Sequence, residues 1–416
     1  MKILVVGGGG REHTIIWKLR QNKAVKEVHC APGNGGIADI ATCVPIKATD
    51  IPSIVNYARA GEFDLVVVAP DDPLFMGMVD ALKDAGIRAF GPMADGARLE
   101  GSKVYAKDLM KKYGIPTAQY ETFTDYDAAC AYVEQCALPT VVKADGLALG
   151  KGVIICKAVE EAKAALYDIM VKKVFGEAGT RTVIEEFMQG PEVSVLAFCD
   201  GSTILPMASA QDHKRVFDND EGPNTGGMGT FSPSPKYTEA VRNEAEETII
   251  RRTVDALQSE GIDYRGVIYF GLMLTKDGPK LLEYNARFGD PEAQVVLPRM
   301  KNDLLDVMDA VIDGRLDEVT LEWDERSAVC VVMASGGYPG AYPKGMPITG
   351  LKQVKDAVVF HAGTARQDGE YVTAGGRVLG VTALGHDIAD ARHKAYGEVN
   401  KIHFEGAQYR TDIGIK

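Results

Sequence analysis

No stretch of this chain approaches the roughly 18 consecutive apolar residues that a membrane-spanning helix needs. Its opening run, MKILVV, passes at once into glycines, which reads as a first strand rather than a secretory leader. Paired cysteines are also lacking. The seven present, Cys30, Cys43, Cys130, Cys136, Cys156, Cys199 and Cys330, are odd in number and never spaced CxxC. That excludes a disulfide frame or zinc ribbon and fits reduced core thiols in the cytoplasm. Positive charge is in deficit: 46 Lys+Arg against 58 Asp+Glu give a net charge of −12, with a pI near 5.2. A broad nucleic-acid surface or a polybasic membrane patch is thereby excluded, and any anionic ligand must be met by local cations and backbone amides. Internal repeats and long low-complexity linkers are absent too. What is present is an ordinary 46% hydrophobic content over 416 residues, enough for two to four domains, and 45 dispersed glycines suited to loops that approach phosphates.

Residues 1–102 alternate short apolar strands (KILVV, EVHCA, DLVVVA, RAF) with helical patterns, among them one from about Arg11 and one over 76–85. That rhythm predicts a doubly wound parallel sheet with ligands at the carboxyl ends of its strands. A helix over 102–113, stopped by Gly114 and Pro116, leads from this domain into a connecting segment, 103–122. A small α+β lobe is expected over 123–191 and a larger lobe over 192–325. The larger lobe contains a long helix through Val241, Ala245 and Ile249 and a helical close over 293–311. A strand-rich C-terminal domain is expected over 326–416.

The most chemically pointed segment is LLEYNARFGDPE, residues 281–292. Strand periodicity puts Glu283, Asn285 and Arg287 on one face. A carboxylate and an amide oxygen beside a guanidinium suit a hard cation held against nucleotide phosphates, although a solvated strand face would look the same. VVGGGGREH invites a dinucleotide-fold reading, but the third glycine of GxGxxG falls on Glu12 and the second strand ends without an acidic residue. A phosphate-bearing substrate at the amides of Gly9, Gly10 and Arg11 is therefore preferred over NAD. KADGLALGKGV presents Lys143 at a strand end and Lys151 in a glycine loop. That loop fails the Walker pattern because Gly152 stands where Ser or Thr is required, so it reads as a lid. In VIEEFMQGPE, Glu185 and Glu186 end a strand whose backbone can face an adenine, and Glu192 can accept ribose hydroxyls. The loop QDHKRVFDNDEGPNTGGMG, residues 211–229, has a composition suited to binding, with His213 a general base or a hydrogen-bonding loop residue.

In order, GGGGREH, APGNGG, FGP, LEGSK, KADGLALGKGV, EEFMQGPE, QDHKR, GPNTGGMG and NARFGDPE make the chain resemble the glycinamide ribonucleotide synthetases of the ATP-grasp superfamily, over essentially its whole length. The resemblance implies an N-terminal α/β domain, a two-lobed ATP-grasp core and a small β-rich C-terminal domain. It also implies ligation of glycine to 5-phosphoribosylamine at the expense of ATP, through glycyl phosphate, in de novo purine synthesis. By the same resemblance ATP falls to Lys103, Lys143, Gly150, Lys151, Gly152, Val153, Glu185, Glu186, Phe187 and Glu192, and Mg²⁺ or Mn²⁺ to Glu283 and Asn285. The substrates fall to Gly9, Gly10, Arg11, Gly33, Asn34, Asp71, His213, Lys214, Arg215, Asn224, Gly226, Gly227, Arg287, Gly289 and Asp290, with Arg287, Lys143 and Asp212 catalytic. A monomer or dimer acting on small molecules is expected, with no nucleic-acid or membrane partner. Gly8, Asp71, Pro191 and Ala210 depart from the family's usual Asn, Glu, Glu and Ser. Another ATP-grasp carboxylate–amine ligase, a non-catalytic nucleotide-binding protein and an NAD-dependent dehydrogenase are the alternatives.

Overall fold

The computed structural model describes residues 1–146 and 152–415. In the N-terminal region, strands Lys2–Gly7, Glu27–Pro32, Thr42–Cys43, Leu65–Val68 and Ala89–Phe90 form one parallel sheet. Their spatial order is third, second, first, fourth, fifth. The direction of winding therefore reverses between Lys2–Gly7 and Leu65–Val68, and the helices that follow these two strands, Gly10–Leu19 and Asp71–Phe75, carry Arg11 and Asp71 in their first turns. That is the crevice where an open α/β sheet binds its ligands. Ile3 to Val6 and Leu65 to Val68 are all buried, as expected of strands covered on both faces. The helix expected over 76–85 is Met78–Asp84, preceded by a separate short helix, Asp71–Phe75.

The small lobe is a four-stranded antiparallel sheet ordered Tyr120–Phe123, Thr182–Glu186, Thr140–Ala144, Val153–Cys156. Helices Tyr126–Val133 and Val159–Leu166 close a private core around Val142, Cys156, Leu166 and Ile184. The larger sheet, ordered Ile204–Pro206, Glu192–Asp200, Arg265–Thr275, Gly278–Asn285, is also antiparallel. One apolar core runs from Leu4 and Val66 of the N-terminal sheet through Leu109 to Val195 and Phe270 of this one. These two regions are therefore packed as a single body, whereas the small lobe is a separate packing unit.

Two elements differ from the sequence reading. The long helix through Val241 and Ile249 continues to Ser259, but by way of a wide turn at Glu246–Ile250. The single helical close over 293–311 is two helices, Ala293–Arg299 and Leu304–Asp313. Pro298 withholds an amide near the end of the first, Met300 is extended, and Asp303 caps the second by accepting from the Leu305 amide. The last sheet is ordered Gln211–Asp212, Gly229–Ser232, Ser327–Ala334, Arg377–Gly385, Val358–His361. Its first two strands come from upstream of residue 326, so the 211–232 segment is pinned to the C-terminal region by strand pairing such as Phe231 with Val329. No helix among the described residues is long and apolar enough to cross a membrane.

Candidate active site

A cleft of about 1400 Å³ opens where these regions meet. It takes Arg11 and Asp71 from the N-terminal crevice and Lys103 from the following helix. Lys143, Gly152, Val153, Glu185, Glu186 and Phe187 come from the small lobe. Glu192, Glu283, Asn285 and Arg287 line it from the larger sheet, with Asp290 just beyond. Asp212, Lys214, Arg215, Asn224 and Gly226 enter from the long loop. Apolar Val141, Ile155, Met188, Met273 and Leu282 surround the end near Glu185, a surface suited to a flat aromatic base.

Glu283 and Asn285 stand opposite Gly271 and Tyr269, and a bulge between Gly271 and Leu272 accommodates the extra residue Leu282. The strand ends at Asn285, so Arg287 lies beyond the regular periodicity. Its guanidinium nevertheless folds back to donate to Asn285 Oδ1 at 3.0 Å. It also donates to Glu100 at 2.6 Å, and Glu100 accepts the Ala286 amide at 2.8 Å. Burial would raise the Glu283 pKa, but Lys214, Lys143, Lys103 and Arg287 outweigh it and hold the carboxylate charged. Burial likewise opposes the Lys214 ammonium, yet Glu192 at 3.0 Å and Glu283 at 3.6 Å push its pKa up. Asp212 is the contrast: burial raises its carboxyl well above the usual range, and the nearby Glu292 raises it further. Asp71 is held below its usual value because Arg287 and Arg11 outweigh its desolvation.

A divalent cation fits this donor set only in company. No group of three or more carboxylate, imidazole or thiol side chains with metal-binding geometry occurs among the described residues. Glu283 and Asn285 provide two ligand groups and one negative charge, so phosphate oxygens must complete any hard-cation site.

Several expected residues support the cleft from behind. The Gly9 amide donates to Glu12 and the Arg11 amide to Asp290 Oδ2 at 3.3 Å, so carboxylates of the protein already engage two of the helix-terminal amides. Gly33 and Asn34 fix a turn. Asn34 Nδ2 donates to the Gly8 and His361 carbonyls at 2.9 and 2.8 Å, while its Oδ1 accepts the Gly36 and Ile37 amides. His213 is fully buried, with Nδ1 3.1 Å from the Gly229 carbonyl oxygen. At Gly227, with φ of 112°, a Cβ would stand 2.7 Å from Asp212 Oδ1, and at Gly289 one would stand 2.3 Å from Glu292 Oε2. Both positions need glycine for close approach. Gly150 and Lys151 lie outside the described residues.

Sequence reasoning assigned no role to Glu100, Lys107, Tyr269, Glu292 or Arg377, all of which line the cleft. Arg377, from the last sheet, donates to the Gly226 and Asp290 carbonyls, each at 2.7 Å. Ser194 donates to Glu292 Oε1 at 3.1 Å and the Tyr269 hydroxyl donates to it at 3.0 Å. Only Lys107 left a readable signal, since it follows Lys103 by four residues and shares its helix face.

The chain is similar along its length to known proteins. Family models described as the N domain, the ATP-grasp (A) domain and the C domain of phosphoribosylglycinamide synthetase match residues 1–100, 101–293 and 328–416. The phosphoribosylamine–glycine ligase of Caldanaerobacter subterraneus is 49% identical over 413 residues, covering 99% of both chains. That of Halalkalibacterium halodurans is 50% identical over 417 residues, covering all of this chain and 97% of the relative. The crystal structure of the Thermotoga maritima phosphoribosylamine–glycine ligase superposes with a TM-score of 0.85 at 36% identity, covering 99% of this chain and all of that one. Matched along its whole length in sequence and in fold, the protein belongs to the phosphoribosylglycinamide synthetase family and is an ATP-grasp ligase.

Proposed function

We propose that the chain joins glycine to 5-phosphoribosylamine with conversion of ATP to ADP and phosphate, and that the cleft described above is where it does so. The observation that carries this reading is the convergence, in a protein of net charge −12, of Lys103, Lys143, Lys214, Arg11 and Arg287 on one cleft that also holds Glu283 and Asn285. A glycine carboxylate is a poor electrophile. Its oxygen attacks the γ-phosphorus, ADP leaves, and the amine nitrogen then displaces phosphate from the acyl carbon and loses a proton. Phosphoryl transfer of this kind asks the protein for positioning and charge neutralisation rather than a nucleophilic side chain.

In this assignment the base lies between the apolar side chains near Glu185 and Phe187, and Glu192 accepts the ribose hydroxyls. Lys143 and Lys103 neutralise phosphate charge. Glu283 and Asn285 would hold a Mg²⁺ or Mn²⁺ ion, which would supply charge neutralisation to the phosphates. Arg287, fixed by Glu100, steers the glycine carboxylate and then the acyl phosphate. Asp212, whose raised pKa makes its carboxylate a stronger base, takes the proton released when the amine attacks. Arg11 and Asp71 meet the phosphoribosylamine, where Asp71 reaches one methylene less far than the glutamate usual in the family. The small lobe, with its private core, closes over the nucleotide and excludes water from the acyl phosphate. We further propose a cytoplasmic protein acting as a monomer or dimer.

The test is coupled ADP release with glycine and freshly made phosphoribosylamine each omitted in turn. The reading requires ADP formation that depends on both. Turnover with another carboxylate in place of glycine would assign the chain to a different carboxylate–amine ligase.

A further inference from the structure

Lys107 lies one turn beyond Lys103 on the helix Lys103–Lys112. Its ammonium is 3.2 Å from Glu185 Oε1 and donates to Thr117 Oγ1 at 2.7 Å, and the Thr117 hydroxyl donates in turn to the Leu281 carbonyl. The other oxygen of Glu185 holds the Lys143 ammonium at 2.8 Å. One carboxylate is thus shared by two ammoniums, with side-chain exposures of only 3% for Lys107, 2% for Glu185 and 5% for Lys143. With a single lysine, Glu185 would form a closed neutral pair. Drawing that lysine toward an anion would then strand a buried carboxylate, which is a costly state. The second lysine removes the penalty and leaves the cluster one positive charge in surplus.

We propose that Lys107 is a positioning residue for the nucleotide: by staying on Glu185 it frees Lys143 to turn toward the polyphosphate. This rests on the reading that ATP occupies the cleft between the lobes. The groups facing Lys107 are consistent with such a role. The Tyr120 ring lies 5.7 Å from its nitrogen, and the Tyr120 hydroxyl is committed to Asp108 at 2.9 Å. Glu186, the next carboxylate along the strand, lies 3.5 Å from Lys280. Lys103 and Glu283 act on the cluster from the Lys143 side. Burial, the largest influence on Lys107, draws its pKa down to about 8; Glu185 resists this and Lys143 adds to it. An arriving polyphosphate reverses that balance, so nucleotide binding near pH 8 takes up a proton at Lys107.

The test is isothermal titration of the full chain with Mg–ATP at pH 7 and pH 9, in buffers of differing ionisation enthalpy, alongside steady-state kinetics. With a pKa near 8 the protonated fraction at pH 9 is about one in ten, so wild-type affinity is expected to fall up to about tenfold between the two. Lys107→Met should bind at pH 7 as weakly as wild type does at pH 9, with no pH dependence and no proton uptake. Lys107→Arg, whose charge persists at pH 9, should keep near-wild-type affinity at both. KM for ATP should follow these changes while KM for glycine stays put. The proposal is overturned if Lys107→Met keeps wild-type affinity or the wild-type pH dependence. It is equally overturned if both variants lose ATP affinity, kcat and thermal stability together, since arginine would then fail to rescue a purely structural lysine. Failure of the wild type to bind ATP would instead overturn the assignment of the cleft.

Discussion

Removing the Glu100 carboxylate should cost stability as well as turnover, and the structure sets the scale. Glu100 lies in the last turn of the helix Ala94–Gly101, and its oxygens accept Arg287 Nη2 at 2.6 Å and the Ala286 amide at 2.8 Å. The side chains are 8% and 15% exposed, so water cannot replace either bond. Glu100→Ala removes the nearest carboxylate from a buried guanidinium and strands a backbone N–H, which costs about 3–5 kcal/mol for breaking a buried pair. That is a large share of the roughly 5–15 kcal/mol by which domains are stable. Glu100→Gln is not benign, because both original oxygens face donors and one becomes an NH₂ group. The cost should be smaller, about 1.5–3 kcal/mol. Burial raises the Glu100 pKa in spite of Arg287, so desolvation offsets the attraction at this carboxylate. The double variant Glu100→Leu/Arg287→Met should therefore recover most of the stability lost in Glu100→Ala while remaining inactive. Calorimetric unfolding and ADP release on the three variants check both halves. A Glu100→Ala protein within about 0.5 kcal/mol of wild type, or a double variant less stable than Glu100→Ala, would refute the reasoning.

Glu283→Gln keeps the shape of a cation ligand and removes its charge, so metal-dependent ADP formation should collapse at limiting Mg²⁺ while the melting temperature changes little. Normal turnover there would place the metal elsewhere. Arg11→Ala should raise KM for phosphoribosylamine about tenfold or more, from loss of a charge-assisted contact, and leave KM for ATP nearly unchanged; a selective rise for ATP would reverse the assignment of the N-terminal crevice. His13 and His361 join the N-terminal helix to the last sheet, where His13 Nδ1 accepts the His361 amide at 2.8 Å. Burial lowers their pKa values to about 3 and about 4, and for His13 the neighbouring His361 adds to the effect. Both are depressed below the unfolded value of about 6.5, so their contribution is complete above that pH and falls away as pH drops toward 4. At pH 5 the loss should be about 2 kcal/mol per histidine. Unfolding midpoints between pH 7 and 5 test this, and a His13→Gln variant should show a shallower decline.

The local periodicities of the sequence determined much of this protein. Continuous apolar strands alternating with helices made the N-terminal parallel sheet legible, since strands covered on both faces must be apolar throughout. The i, i+2 spacing of Glu283 and Asn285 placed both on one strand face before any fold was known, because side-chain direction in a strand depends only on neighbouring residues. Lys143, Glu185 and Lys214 were likewise found from motifs, and their convergence on one cleft is observed. Tertiary structure decided the rest. Arg287 lies past the end of its strand, and only the distant Glu100 returns its guanidinium to Asn285. The amides of Gly9 and Arg11 looked open to phosphate in the sequence, but Glu12 and Asp290 engage them, the latter from 279 residues away. Arg377 enters the cleft because the strands at 211–212 and 229–232 pair into the C-terminal sheet, a register that no local pattern specifies. Burial then separates chemically identical side chains. Cations outweigh desolvation at Glu283 and keep it charged, whereas desolvation prevails at Asp212, and that balance depends on which distant residues fill the surrounding space.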